Sequence, residues 1–363
     1  NLHSDYLTGI IDRHNYFGGS RDGLIRNQSM LRVPGSGSFS AGMQQVVDRP
    51  FMLSEWIHVE PNEWGVEGPA IIGAYGMGLQ GWDVSYIFQN RDRGRFMEAL
   101  WPSGRDVWRV MAPQVFGVFP AVSRQVLRGD VAESDVLAPR YVNIDALHEG
   151  KLGFEDVVTQ QHDVKTFDSD KVPVQALAVA RCVVDFTDEY RETPEFPLED
   201  YRKDGALISS TEQLAWHPGE TRTDGFFTMD TPGTQAVVGF AEGETCELSD
   251  ITIAPASRFG AVYVTAREKD ATLADADSLL LVAIARARNT GSKIHGGRVI
   301  LDRGEAPVVM EPVRAALTLK RPGATVRLLD HDGARTDRTI PVEDGTVQLD
   351  TGRDRTCYYL IEY

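Results

Sequence analysis

The hydrophobic pattern of this chain changes character once, near residue 130, and that change limits what it can fold into. Before it, strand-length runs that are apolar almost throughout alternate with segments of helical period. "LTGIIDRHNYFGG" (7–19), "PFMLSEW" (50–56) and "DVSYIFQN" (83–90) read as strands. "SAGMQQVVDR" (40–49), "VEGPAIIGAYGMGLQ" (66–80) and "PQVFGVFPAVSRQVLRG" (113–129) read as helices. Ser40 is the expected N-cap of the first helix, and Gly129 the expected stop of the third. Ile71, Tyr75 and Gly78, with Ile72 and Leu79, share one face of the second. Val115, Phe119, Val122 and Val126 share one face of the third. The glycines of the second helix would each cost about 1 kcal/mol in isolation, so that helix is expected to be closely packed. Strands apolar on both faces belong in a parallel sheet flanked by helices. Three β/α units are present.

Beyond residue 130 the pattern becomes β-type segments separated by Gly, Asp, Asn and Pro. The clearest are 175–186, 225–231, 234–240, 260–267, 278–288, 313–321, 324–330 and 357–363. Such a succession predicts antiparallel sandwich modules. The expected division is therefore a β/α portion over 1–129, a β-sandwich over 130–304, and a small β domain or remaining sandwich strands over 305–363.

Composition excludes several functions. At 363 residues with 42% hydrophobic and 25% charged side chains, the chain can bury a large core. A net charge of −16 argues against nucleic acid, whose phosphates need a basic face. It favours neutral substrates over strongly anionic ones unless a local basic patch overrides the average. No apolar run reaches membrane-spanning length. Cys182, Cys246 and Cys357 are odd in number and have no metal-type spacing. The histidines form no metal triad, and no EF-hand-like loop exists. The first residues do not resemble a natural translation start, so a processed or cut chain is expected and a signal sequence need not show.

The chemistry converges on "FMLSEWIHV" (51–59), where Glu55 ends an apolar strand beside a tryptophan and a histidine. If the β/α portion is part of a barrel, its strand ends carry the reactive groups on one rim. Those ends are His14 and Tyr16; Glu55 and Trp56; and Phe88, Gln89 and Asn90. One carboxylate, hydrogen-bonding groups and flat rings suit sugar hydrolysis. The carboxylate serves an oxocarbenium-like centre, and the rings cover the apolar faces of a sugar. The plainer readings stand beside this one. Glu55 can be an ion-paired strand-end acid, and Tyr16 and His14 satisfied core groups. Trp56 and Trp64 can be core or interface rings. Glu63 and Glu67 fall where a helix starts and suit its dipole. Asp83 is expected to be structural, and "NRDRGRF" (90–96) a solvated loop.

The stretch 49–90, "RPFMLSEWIHVEPNEWGVEGPAIIGAYGMGLQGWDVSYIFQN", resembles the seventh and eighth β/α units of clan A retaining glycoside hydrolases, more closely the β-agarase- and β-galactosidase-like members. "DRHNYFGG" (12–19) is similar to their sixth-strand H-x-Y, and 341–363 to the last strands of their accessory sandwich. The resemblance implies the carboxy-terminal part of a (β/α)8 TIM barrel, strands six to eight, followed by antiparallel β-sandwich. It implies Glu55 as nucleophile, Tyr16 as its hydrogen-bond donor and His14 as a substrate-site histidine. Trp56, His58 and Asn62 would line adjoining subsites, with Gln89 and Asn90 on the last strand's rim. The substrate class implied is a β-linked, galactose-containing polysaccharide or oligosaccharide, the location extracellular or periplasmic. No cofactor is implied beyond a structural calcium that a sandwich loop can hold. The family's acid/base glutamate follows an asparagine on the fourth strand, and nothing here matches it. A second polypeptide is therefore expected to supply strands one to five. Two rival expectations remain: a non-catalytic carbohydrate-binding or scaffold fragment, and a hydrolase for another β-glycan such as mannan or xylan.

Overall fold

The computed structural model describes residues 2–21, 24–89, 99–100, 107–150, 157–161 and 164–363. The 90–96 loop, including Asn90, lies outside them. The molecule is mostly β, with antiparallel sheets arranged as a sandwich. Its β/α portion is built on three parallel strands, β1 (Ile11–His14), β2 (Phe51–Trp56) and β3 (Val84–Ile87), in the order β1-β2-β3. Among the described residues this sheet is open, with no strand on the outer edge of β1 or of β3 and no closed barrel.

Among the described residues only one face of the open sheet is covered. Ile11, Phe51 and Leu53 are fully buried on that side, and Trp82 packs on Phe51 with ring centroids 4.9 Å apart. The opposite face carries Asp12, Met52 and Val84 in register, then Tyr86, which is 62% exposed.

The helices differ in detail from the periodicity. The segment expected to start at Ser40 is a 3-10 helix over Gly37–Gln44; Ser36 precedes it, and Ser40 Oγ donates to Gly37 O at 2.7 Å. The second helix is α over Glu67–Ile71 and π over Ile72–Leu79. Its glycines admit close neighbours as expected: a Cβ on Gly73 would lie 2.6 Å from Val122, and one on Gly76 2.7 Å from Trp82. The third is interrupted into Pro113–Phe116 and Phe119–Arg128, and Gly129 caps it with φ of 65°.

The strand expected over 175–186 is in fact a 3-10 turn, Val174–Ala178, followed by Arg181–Thr187, which pairs in parallel with Val136–Asn143. The cause is the buried Gln80 side chain. Its amide nitrogen donates to Leu177 O and Ala180 O, and its oxygen accepts from Cys182 N at 2.9 Å. These bonds hold the segment on the β/α portion, outside the two sandwich sheets.

The sandwich joins a ten-stranded sheet, running from Arg202–Lys203 at one edge to Arg335–Ile340 at the other, to a five-stranded one. Both draw strands from either side of residue 304, so 305–363 contributes to both. Helix Phe119–Arg128 packs on the strands Gly260–Ala266 and Ser278–Ile284 of the larger sheet. Strand Thr234–Gly239, in contact with Glu67–Ile71 and with Ile251–Pro255 of the smaller sheet, is buried at every position. Trp64 anchors the junction. It meets Phe240 and Phe259 at 4.9 Å each, with the Arg286 guanidinium 5.1 Å from its ring centroid.

Candidate functional site

A bulge aims Glu55. Arg13 pairs with Leu53 and His14 with Glu55, so β2 has one extra residue against β1. The same surplus appears against β3, where Leu53 pairs with Ser85 and Trp56 with Ile87. Strict alternation from Phe51 and Leu53 would send Glu55 into the covered face. The inserted residue reverses that sense. Glu55 joins His14 on the open face, 34% of its side chain exposed, and Trp56 goes inward.

Tyr16 Oη donates to Glu55 Oε2 at 2.8 Å. His14 Nδ1 lies 3.2 Å from the same oxygen, and His14 Nε2 is 3.8 Å from Asp12. Oε1 has no hydrogen-bond partner among the described residues. A carboxylate held by one oxygen and open at the other is oriented and still able to react. Tyr16 is itself fixed edge-on against Phe88, centroids 5.8 Å apart, and Phe88 against Trp108 at 6.2 Å. Trp108 is half-buried, so a flat indole stands two rings from the carboxylate.

The remaining expected residues divide. Gln89 is exposed at the end of β3. Trp56, His58 and Asn62, expected to line subsites, are interior. Trp56 Nε1 donates to Ser85 Oγ at 2.7 Å on the covered face. His58 is buried against Phe17 and 3.8 Å from the fully buried Glu67. Asn62 donates to the carbonyls of Arg26 and Gln28 and accepts from Trp64 N. Its place explains the Gly-Gly after Phe17: a Cβ on Gly18, at φ +89°, would sit 2.6 Å from Asn62 Cβ. Glu67 opens the helix Glu67–Ile71 as expected, while Glu63 lies ahead of it, and both also hold tertiary contacts. Glu67 accepts from Ser29 Oγ and Met30 N. Glu63 binds Asn27, Arg286 and Arg288. Asp83 accepts from Phe51 N, a structural role.

Sequence reasoning missed three contributors. Trp108 lies in a loop with no periodic signal. Asn15, between His14 and Tyr16, donates to Gly37 O and exchanges hydrogen bonds with both Lys165 N and Lys165 O. It thereby fixes the hairpin of Val157–Gln161 and Val164–Asp168 beside the site. On another side, the four-stranded sheet Lys293–His295, Val299–Asp302, Leu24–Ile25, Ser20–Arg21 grows directly from the Gly-Gly turn. Such pairing between remote segments leaves no local signature.

No group of three or more His, Cys, Asp or Glu among the described residues is placed to hold a metal ion. The three cysteines are free thiols, and burial pushes Cys182 up to about 12. No described helix is long and apolar enough to cross a membrane. No family model, curated protein or solved structure matches the chain.

Proposed function

We propose that this chain carries the nucleophile of a retaining glycoside hydrolase acting on a β-linked, galactose-containing glycan. The observation that carries the reading is the bulge-aimed Glu55, gripped through Oε2 and open at Oε1. In the first step Oε1 attacks the anomeric carbon as the glycosidic bond breaks, giving a covalent glycosyl-enzyme. A second carboxylic acid protonates the departing oxygen. In the second step that group, now a carboxylate, takes a proton from water, whose oxygen displaces Glu55. The two carboxyls of such a pair stand about 5–5.5 Å apart. Tyr16 donates to Oε2 and so holds the carboxylate in one orientation. Trp108 offers a face for a sugar ring.

The second carboxyl belongs to a polypeptide that completes the sheet in our reading. Two features support this. Parallel sheets are normally covered on both faces, yet among the described residues the Asp12–Met52–Val84 face is open and both edges are unpaired. Exposed apolar groups cluster at those edges as well: Leu7 and Ile10 beside β1, and Tyr86 and Leu127 beside β3, where an apolar cleft of about 380 Å³ opens between Ile72, Met77 and Phe119. Native mass spectrometry is expected to find this chain bound to a second polypeptide.

Replacing Glu55 with Gln in that assembly is expected to abolish hydrolysis of agar-type, galactan or mannan substrates while leaving binding intact. A feeble or absent turnover that Glu55→Gln leaves unchanged would remove the nucleophile assignment and leave the carbohydrate-binding reading.

A further inference from the structure

The hairpin Lys293–His295/Val299–Asp302 comes from the sandwich half of the chain, yet it pairs with the turn that follows Tyr16. Ile25 N donates to Arg298 O at 2.7 Å, and Val299 is the partner of Leu24. One face of this small sheet points inward: Ile25 is buried, and Ile294 packs with Ala112 and Val115. The other face is open. Leu24, Val299 and His295 lie side by side across three strands of it, and Leu301, 66% exposed, continues the row.

The charge of this arm is opposite to that of the whole. Across 293–303, "KIHGGRVILDR", Lys293, Arg298 and Arg303 stand against the single acid Asp302, in a chain whose net charge is −16. All three cations are exposed, and none has an ion pair among the described residues. Asp302 Oδ1 is engaged with Gly304 N. The backbone under the cations is fixed: Arg298 O by Ile25, and Arg303 O by the buried Asn289 at 2.9 Å. A rigid, unneutralised basic arm beside an exposed row, paired with the strand that follows the Tyr16–Gly19 segment, complements an acidic sugar chain.

We propose that this arm is a wall of the substrate groove, and that Lys293, Arg298 and Arg303 bind an anionic substituent, a sulfate ester or a carboxylate, on the polysaccharide. The proposal rests on the hydrolase reading and narrows its substrate class to acidic galactans. It makes the arm a specificity determinant; the bond-breaking groups are elsewhere.

The test is affinity gel electrophoresis of the Glu55→Gln protein in gels containing sulfated galactan, polygalacturonate or neutral agarose, beside the same protein carrying Lys293→Ser, Arg298→Ser and Arg303→Ser. Retardation by sulfated galactan or by polygalacturonate above that by agarose is expected, and which of the two retards identifies the anion. The triple variant is expected to bind roughly ten-fold more weakly, since each partly exposed charge contact is worth up to about 1 kcal/mol, and the difference should shrink in high salt. Thermal unfolding of the triple variant should match the parent, as all three side chains are exposed. Equal retardation by agarose, or an unchanged triple variant, overturns the proposal. Hydrolysis by protein retaining Glu55 is scored separately. Turnover without an arm effect defeats this inference alone. Arm-dependent retardation without turnover defeats the catalytic reading and leaves the arm as a binding wall.

Discussion

Tyr16 and Glu55 are 39 positions apart, and one hydrogen bond of 2.8 Å makes them a unit. A bond to a carboxylate is worth about 1.5–3 kcal/mol, so Tyr16→Phe is expected to lower kcat by roughly 10–100-fold. The lost donor held the attacking carboxylate in one orientation. The fall should appear in kcat with KM little changed, and an unchanged kcat would separate Tyr16 from the nucleophile. His217 offers a second residue-level outcome, in stability. Its ring stacks on Phe226 at 4.1 Å, and burial lowers its pKa, with Glu244 opposing weakly. The unfolded chain takes up that proton near the ordinary value of about 6.5 and the folded chain only below it. This contribution is thus complete above that pH and is lost as pH falls through and below it. Thermal midpoints measured from pH 7.5 down to 5 should fall less steeply in His217→Phe. At this scale the sequence displayed the acid but not its setting. Nothing in "SEWIHVEPN" shows that Glu55 faces out while Trp56, His58 and Asn62 face in, because a single inserted residue in β2 reverses the alternation.

The elements were more legible. The three parallel strands, the glycine-stopped helix Phe119–Arg128 and most sandwich strands fall where the apolar pattern puts them, most of them burying one apolar face. Local pattern failed where a buried polar side chain took over the backbone, as Gln80 does at Leu177, Ala180 and Cys182. Gly73 tests the packing argument. In an exposed helix Gly→Ala gains up to about 1 kcal/mol, yet here the new Cβ would meet Val122 Cγ1 at 2.6 Å. Gly73→Ala is expected to destabilise by about 1–3 kcal/mol in urea unfolding. Val122→Ala in the same chain should recover part of the loss, giving a coupling energy between the two sites. A stabilised single variant would mean that helix and neighbour yield freely.

In the whole molecule, the β/α portion and the sandwich are joined by a few strong contacts. Glu63 is buried between Arg286 and Arg288, and the hydrogen bond that Arg288 donates to Glu63 is the main cause of the raised pKa of Arg288. Removing one partner of a buried pair costs about 3–5 kcal/mol. Glu63→Ala should lower the urea midpoint accordingly, and a loss below about 1 kcal/mol would assign the junction to Trp64, Phe240 and Phe259 instead. The sequence by itself determined the two kinds of architecture, most strand and helix positions, and the presence of one carboxylate at a strand end. These follow from local periodicity, since an apolar face must be buried wherever it occurs. Only the tertiary structure decided which side of the sheet Glu55 takes, which of its oxygens Tyr16 engages, and that a basic hairpin from the far half of the chain pairs with the strand Leu24–Ile25. A bulge, a shared hydrogen bond and a long-range strand pairing each depend on a partner remote in sequence, and no residue carries its partner's position in its own type.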